Sequence, residues 1–293
     1  MLYTPVDPAL YQPCPQAGSL QRVWYDTETY DEAHVPLRKD ALVYLPFGYD
    51  QEPERRYPVL YLMHGGGGDS NEFFGGEEAK TPLKNLLDNV IASGYVQPLI
   101  VVTPSYVVPG DNTVHRYMES ACKHTHRFPK ELKGDLLGFI DRSFRTIPDR
   151  QHRAFGGFSM GAETTWSVLT EAVQEVGWYL PLSGDYWAMG VKATKEFPVE
   201  TVDALLKKIE ACGIAPGDYH IIACTGDKDI AYEPMDPMVK EMARRAPWFQ
   251  YGETPAQGNL CYLLKPDGWH TYDDCYEYIW HALPWLFQAQ RTA

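Results

Sequence analysis

The continuously apolar run 58–63 and strand-like runs at 99–103, 153–158, 178–182, 219–224 and 260–264 alternate with amphipathic stretches long enough to be helices. A strand with no polar face has to be covered on both sides, which a mostly parallel sheet with crossover helices achieves. The earlier segments 20–30 and 39–46 differ: the second alternates in Asp40-Ala41-Leu42-Val43-Tyr44-Leu45. They predict an antiparallel hairpin at one sheet edge. Helices are expected at 81–93, 129–144, 162–173, near 199–211, near 236–246 and at 272–287. No repeat, low-complexity tract or linker divides the 293 residues, so the chain reads as one α/β domain, 1–293, with helices on both faces. Residues 1–38 form an N-terminal extension and edge strand. The connection 104–128 is too long for a plain loop and reads as a lid or substrate-binding loop.

Composition narrows the partners. The net charge of -13, with no Lys/Arg cluster, disfavours nucleic acid and anionic membranes and favours a neutral substrate. The 20 Tyr and 8 Trp suit binding of flat rings or sugars, or equally a tyrosine-rich surface. The six cysteines show no C-x-x-C pair and no metal-ligand spacing with histidine; they read as buried thiols with room for one disulfide. His124 and His126 lack a third ligand and read as a solvated pair, so no metal is expected. Met1–Ser19 contains Pro5, Pro8, Pro13 and Pro15 and no continuous apolar run, and reads as neither signal peptide nor membrane anchor. Location and oligomeric state stay open.

Chemistry enters at Gly157-Phe158-Ser159-Met160-Gly161, a G-x-S-x-G element between an apolar run and a helical one. Its glycines permit a sharp strand-to-helix turn with Ser159 exposed at a helix N-terminus, as a nucleophile requires. A serine needs a base, and the base an acceptor, on loops at the carboxyl ends of strands. His270, between the run 260–264 and the last helix, fits the base. Thr225-Gly226-Asp227-Lys228-Asp229 offers two acids; Asp229 is preferred and Asp227 is the alternative that would cap the turn. Asp185 is the other strand-end acid, with a structural or substrate-side role. His64-Gly65-Gly66-Gly67-Gly68 resembles an HGGG oxyanion element, so the Met160 amide and that of Gly66, with Gly65 second, are the expected oxyanion donors. The order of these elements predicts a serine acyl hydrolase that needs no cofactor.

The residues Leu60 to Gly68, Pro98 to Pro104, Phe128 to Leu132, Gly156 to Gly161 and Gly226 to Tyr232 resemble the feruloyl esterase branch of carbohydrate esterase family 1, of the α/β-hydrolase fold. The likeness covers roughly Leu42 to Trp285. It implies an esterase that releases ferulic or p-coumaric acid from arabinoxylan in plant-wall degradation. The family's Gly-x-x-Asp turn matches Asp229; its Gly-His pair is departed from here, where Trp269 precedes His270. The resemblance puts Trp187, in Ser183-Gly184-Asp185-Tyr186-Trp187, beside the acyl group. Gly65, Tyr106, Asp185, Trp187 and Trp269 are the expected substrate-side residues. Tyr106, His115 and Tyr117 would wall a phenolic pocket, or their segment is a packed surface excursion. The same fold and triad also serve acetylxylan esterases and S-formylglutathione hydrolases. A non-catalytic carbohydrate-binding module is the alternative from another class.

Overall fold

The computed structural model describes residues 1–111, 118–191 and 193–288. The apolar runs become strands of one eight-stranded sheet: β1 (Ser19–Glu28), β2 (Pro36–Leu45), β3 (Val59–Met63), β4 (Ile100–Thr103), β5 (Arg153–Phe158), β6 (Trp178–Leu182), β7 (His220–Gly226) and β8 (Leu260–Lys265), in the order β1-β2-β4-β3-β5-β6-β7-β8. β1 and β2 pair antiparallel from Ser19↔Leu45 to Glu28↔Pro36, and β2 meets β4 antiparallel. The other neighbours are parallel. Helices α1 (Leu83–Ala92), α2 (Met118–Glu131), α3 (Leu137–Ser143), α4 (Met160–Glu171), α5 (Pro198–Ala211), α6 (Tyr232–Met242) and α7 (Tyr272–Ala282) provide the crossovers.

Alternation along β3 shows why its run has no polar face. Val59, Tyr61 and Met63 enter one buried cluster with Leu132, Trp166 and Val202, while Leu60 and Leu62 enter the other with Leu83, Leu87 and Ile279. Each strand thus feeds two cores. The chain leaves β3 toward β4, then crosses back over it to β5. That reversal opens a crevice at the carboxyl ends of β3 and β5, where ligands bind in open α/β sheets.

Two helices depart from expectation. The first begins at Met118 rather than at 129, with Pro129 inside it and a π-helical turn, Leu132–Leu136, before α3. Among its described side chains the buried ones are His124, Thr125, Phe128, Pro129 and Glu131, so the helical period there is not written in aliphatic residues. Proline 129 masks it further by removing the donor to the 125 carbonyl. The second, α6, starts at Tyr232 instead of near 236. Pro234 falls within its first turn, where an amide has no helical acceptor to lose. All six cysteines are free thiols, with Cys224, Cys261 and Cys275 buried, so the room left for one disulfide is not used.

At the opposite end of the sheet, His220 stacks on Trp178 with centroids 4.2 Å apart. Burial lowers its imidazole from the ordinary 6.5 to about 4; Arg150 acts the same way, and a backbone hydrogen bond with Gly258 opposes them. Between those values the unfolded chain binds a proton that the folded chain refuses. Stability from this residue is therefore full above pH 6.5 and declines as pH falls toward 4. Urea midpoints measured from pH 7 to 4 should reveal this loss, about 3 kcal/mol if the whole shift is expressed. His220→Phe should flatten that slope, and an unchanged slope would assign the acid sensitivity elsewhere.

Candidate active site

The turn from β5 into α4 forces Ser159 to φ 58° and ψ -115°, a region that L residues rarely occupy. Its surroundings allow this because the flanking positions have no side chain. A Cβ on Gly157 would lie 2.5 Å from the Gly161 carbonyl oxygen, and one on Gly161 would lie 2.1 Å from the Met63 carbonyl oxygen. The Ser159 amide is anchored to the Leu182 carbonyl of the next strand (2.9 Å).

His270 is positioned by the start of α7. Thr271 is the N-cap, its hydroxyl accepting from the Asp274 amide (3.2 Å), and the Asp274 carboxylate accepts from the Trp269 amide (2.8 Å). Lys265 at the end of β8 pairs with Asp274 and Glu277, tying α7 to the strand before it. The β7 and β8 turns touch through two glycines: a Cβ on Gly226 would lie 2.2 Å from the Gly268 carbonyl oxygen, which accepts from the Lys228 amide at 3.0 Å. Only bare backbone permits that approach, and it brings the acid turn against the histidine turn.

Ser159 Oγ–H donates to His270 Nε2 (2.9 Å), and His270 Nδ1–H donates to Asp229 Oδ1 (2.7 Å). A carboxylate can only accept, so the proton sits on Nδ1 and the Nε2 lone pair faces the serine. The same Asp229 oxygen accepts from the Ala231 amide (2.7 Å), and its side chain is wholly buried. The acid bonded to His270 is therefore Asp229. Asp227 donates its amide to the Lys265 carbonyl (3.1 Å), and its Oδ1 is buried without a hydrogen-bond partner. Phe158 packs against the His270 ring at 4.6 Å and against Tyr272 at 4.8 Å. A base with its lone pair aimed at a serine hydroxyl, and its far side held by a buried carboxylate, can drive acyl transfer.

The glycine loop lies beside the serine: a Cβ on Gly65 would be 3.4 Å from Ser159 Cβ, and one on Gly66 3.0 Å from Met160 Sδ. The Gly65 amide is already committed, donating to the Tyr272 hydroxyl (2.9 Å). This removes Gly65 as an oxyanion donor. Met160 is the first helical residue of α4, whose amide has no helical acceptor. The remaining expectations separate. Trp269 is 61% exposed beside His270. Trp187 is half-buried and donates its indole N–H to Asp185 Oδ1 (3.1 Å), with Asp185 itself buried. Burial raises the Asp185 carboxyl above its ordinary range, against the pull of hydrogen bonds from Thr194 and Trp187. Gly184 packs on the Ser159 carbonyl, so this loop does lean on the nucleophile turn. Tyr106, read either as a pocket wall or as part of a packed excursion, is 2% exposed, and its hydroxyl donates to the Gly65 carbonyl (3.0 Å). His115 and Tyr117 lie outside the described residues.

His124 and His126 also separate: the first pairs with Asp111 (2.9 Å) and the second with the buried Glu163 (2.7 Å). The hydrogen bond to Glu163 raises the His126 imidazole above its ordinary value, against the effect of burial. Sequence reasoning missed Tyr272, Phe158 and Glu163 as parts of the site's surroundings: Phe158 fills a position that the G-x-S-x-G element leaves open, and the other two lie outside any motif. Tyr272 alone carried a signal, as an aromatic two residues after the base.

Residues 37–193 match the family model described as "Putative esterase". The chain belongs to this esterase family. Among solved structures, the chain is similar to a mutant of the feruloyl esterase module from Clostridium thermocellum complexed with sinapinate, at 31% identity and TM-score 0.83 over 98% of this chain and 94% of that one. Endo-1,4-beta-xylanase Y of Acetivibrio thermocellus is 33% identical over 295 residues, covering 97% of this chain and 24% of that protein. The endo-1,4-beta-xylanase/feruloyl esterase of Xylanibacter ruminicola is 33% identical over 170 residues, 57% of this chain and 22% of that protein. The chain thus spans about a quarter or less of the length of these curated relatives. Its sheet and helices are those of α/β-hydrolase esterases. Among the described residues, no helix is long and apolar enough to cross a membrane.

Proposed function

We propose that this chain is one catalytic domain, 1–293, that hydrolyses feruloyl or p-coumaroyl esters on plant cell-wall arabinoxylan. The hydrogen-bonded chain Ser159–His270–Asp229 carries the reading of the reaction. The likeness to a feruloyl esterase module over nearly its whole length supports the reading of the acyl group. Exposed Ile230 and Trp269, each adjacent in sequence to a triad residue, suit a flat apolar acyl group.

In acylation, Ser159 Oγ attacks the ester carbonyl while its proton passes to His270 Nε2. The Asp229 carboxylate stabilises the imidazolium so formed. The Gly66 and Met160 amides donate to the developing oxyanion, each worth about 100- to 1,000-fold in rate. His270 then returns the proton to the departing sugar oxygen. In deacylation, water gives its proton to His270 as it attacks the acyl carbon, and Ser159 leaves with that proton. No step requires a metal or cofactor.

Turnover of methyl ferulate, methyl p-coumarate, acetylated xylan and an S-formyl thioester tests the acyl preference. The cinnamate esters are expected to be the fast substrates. Rapid acetate release with negligible turnover of both cinnamates would overturn the assignment. Asp229→Asn should lower kcat about 10,000-fold with the fold intact, because an amide can donate toward Nδ1 and turn the imidazole to the wrong tautomer. Asp227→Asn should leave kcat nearly unchanged; the reverse pattern would transfer the role to Asp227.

A further inference from the structure

Three side chains from separate parts of the chain converge on the backbone at Gly65. Its carbonyl oxygen accepts from His64 Nδ1–H (2.7 Å), from the Tyr106 hydroxyl (3.0 Å) and from the Gly68 amide (3.3 Å). Its amide donates to the Tyr272 hydroxyl (2.9 Å). The Gly65 carbonyl and the Gly66 N–H belong to the same planar peptide unit, so fixing one fixes the other. We infer that Tyr106 and Tyr272, with His64, are positioning residues that aim the Gly66 N–H at the oxyanion.

The surroundings are built for that task. His64 is buried, and its other ring nitrogen, Nε2, accepts from the Ser105 hydroxyl (2.8 Å), which keeps the proton on Nδ1 where the carbonyl needs it. Tyr106 packs on the His64 ring at 4.5 Å, and its hydroxyl lies 3.7 Å from Met160 Sδ. Tyr272 is the first residue of α7, two residues past His270, and its ring packs on Phe158 at 4.8 Å and edge-on to Phe73 at 5.5 Å. The segment bearing the base therefore also holds the oxyanion loop. Donors on the Gly65 carbonyl polarise its peptide unit and make the Gly66 N–H a stronger donor. Gly66 itself needs the fixing, since a run of glycines has the widest backbone freedom of any sequence.

The inference rests on the serine-esterase reading, and the test separates the two. Tyr106→Phe and Tyr272→Phe keep the rings and delete only the hydroxyls. Each should lower kcat about 10- to 100-fold on methyl ferulate, with KM and the pH profile unchanged. An aryl trifluoromethyl ketone is the second probe. Ser159 Oγ adds to its carbonyl carbon, the serine proton passes to His270, and the carbonyl oxygen takes up the negative charge. Its affinity should fall by the same factor as kcat, while inhibition by free ferulate stays constant. In the double variant the losses should fall short of their product, because both hydroxyls hold one loop. Near wild-type kcat in both variants, a raised KM at constant kcat, or ketone affinity unmoved as kcat falls would each overturn the positioning role. An inactive wild type, or turnover that survives Ser159→Ala, would instead overturn the serine-esterase reading.

Discussion

Ser159→Ala is expected to reduce ester hydrolysis about a million-fold, to the level that binding and the oxyanion amides sustain without a nucleophile. The expectation follows from what Ser159 alone supplies. Its Oγ is the oxygen bonded to His270 Nε2, and its backbone is held at φ 58° by glycines that no side chain could replace. Alanine has the same Cβ and tolerates the same turn, so the fold and the affinity for ferulate should persist. A fluorophosphonate probe reads the same chemistry directly. Wild type should be labelled and Ser159→Ala should not; equal labelling of the two would place the nucleophile elsewhere.

His270→Ala should cost a comparable factor, on the order of a million-fold in kcat. Without the imidazole the serine keeps its proton and the leaving sugar oxygen receives none. The effect should exceed that of Asp229→Asn, because the aspartate acts by orienting and stabilising the histidine rather than by moving the proton. The Thr271 cap, the Trp269–Asp274 bond and the Lys265 pairs that hold the turn do not use the imidazole, so thermal stability should change little. Single-turnover release of ferulate measures the loss. A variant within tenfold of wild type would show that another group takes the proton.

Much of this site was legible in the sequence because its residues occupy strand ends whose strands announce themselves. Ser159 follows Arg153–Phe158, buried throughout, and His270 follows Leu260–Lys265, an edge strand whose Leu260, Cys261 and Leu263 are buried. Asp229 over Asp227 was a preference that spacing supported and contact decided. What failed was the segment before α3. There the buried ones among the described side chains of the helix Met118–Glu131 are His124, Thr125, Phe128, Pro129 and Glu131, so neither period nor punctuation marks it. For Tyr106 the long aromatic connection leaves two readings, a pocket wall or a packed surface excursion. In the fold it is buried, with its hydroxyl on the glycine loop.

The order of strands and helices, the strand-to-helix serine and the glycine loop were determined by the sequence alone, because burial pattern and glycine sterics act over a few neighbouring residues. Which carboxylate meets His270, and that the Gly65 amide is taken while the Gly66 peptide is held, were decided only by the tertiary structure. Those facts depend on hydrogen bonds spanning 41 residues from Asp229 to His270 and 207 from Gly65 to Tyr272. Such distances along the chain are closed by packing of the sheet and its turns, and local spacing only ranks the candidates that packing then brings together.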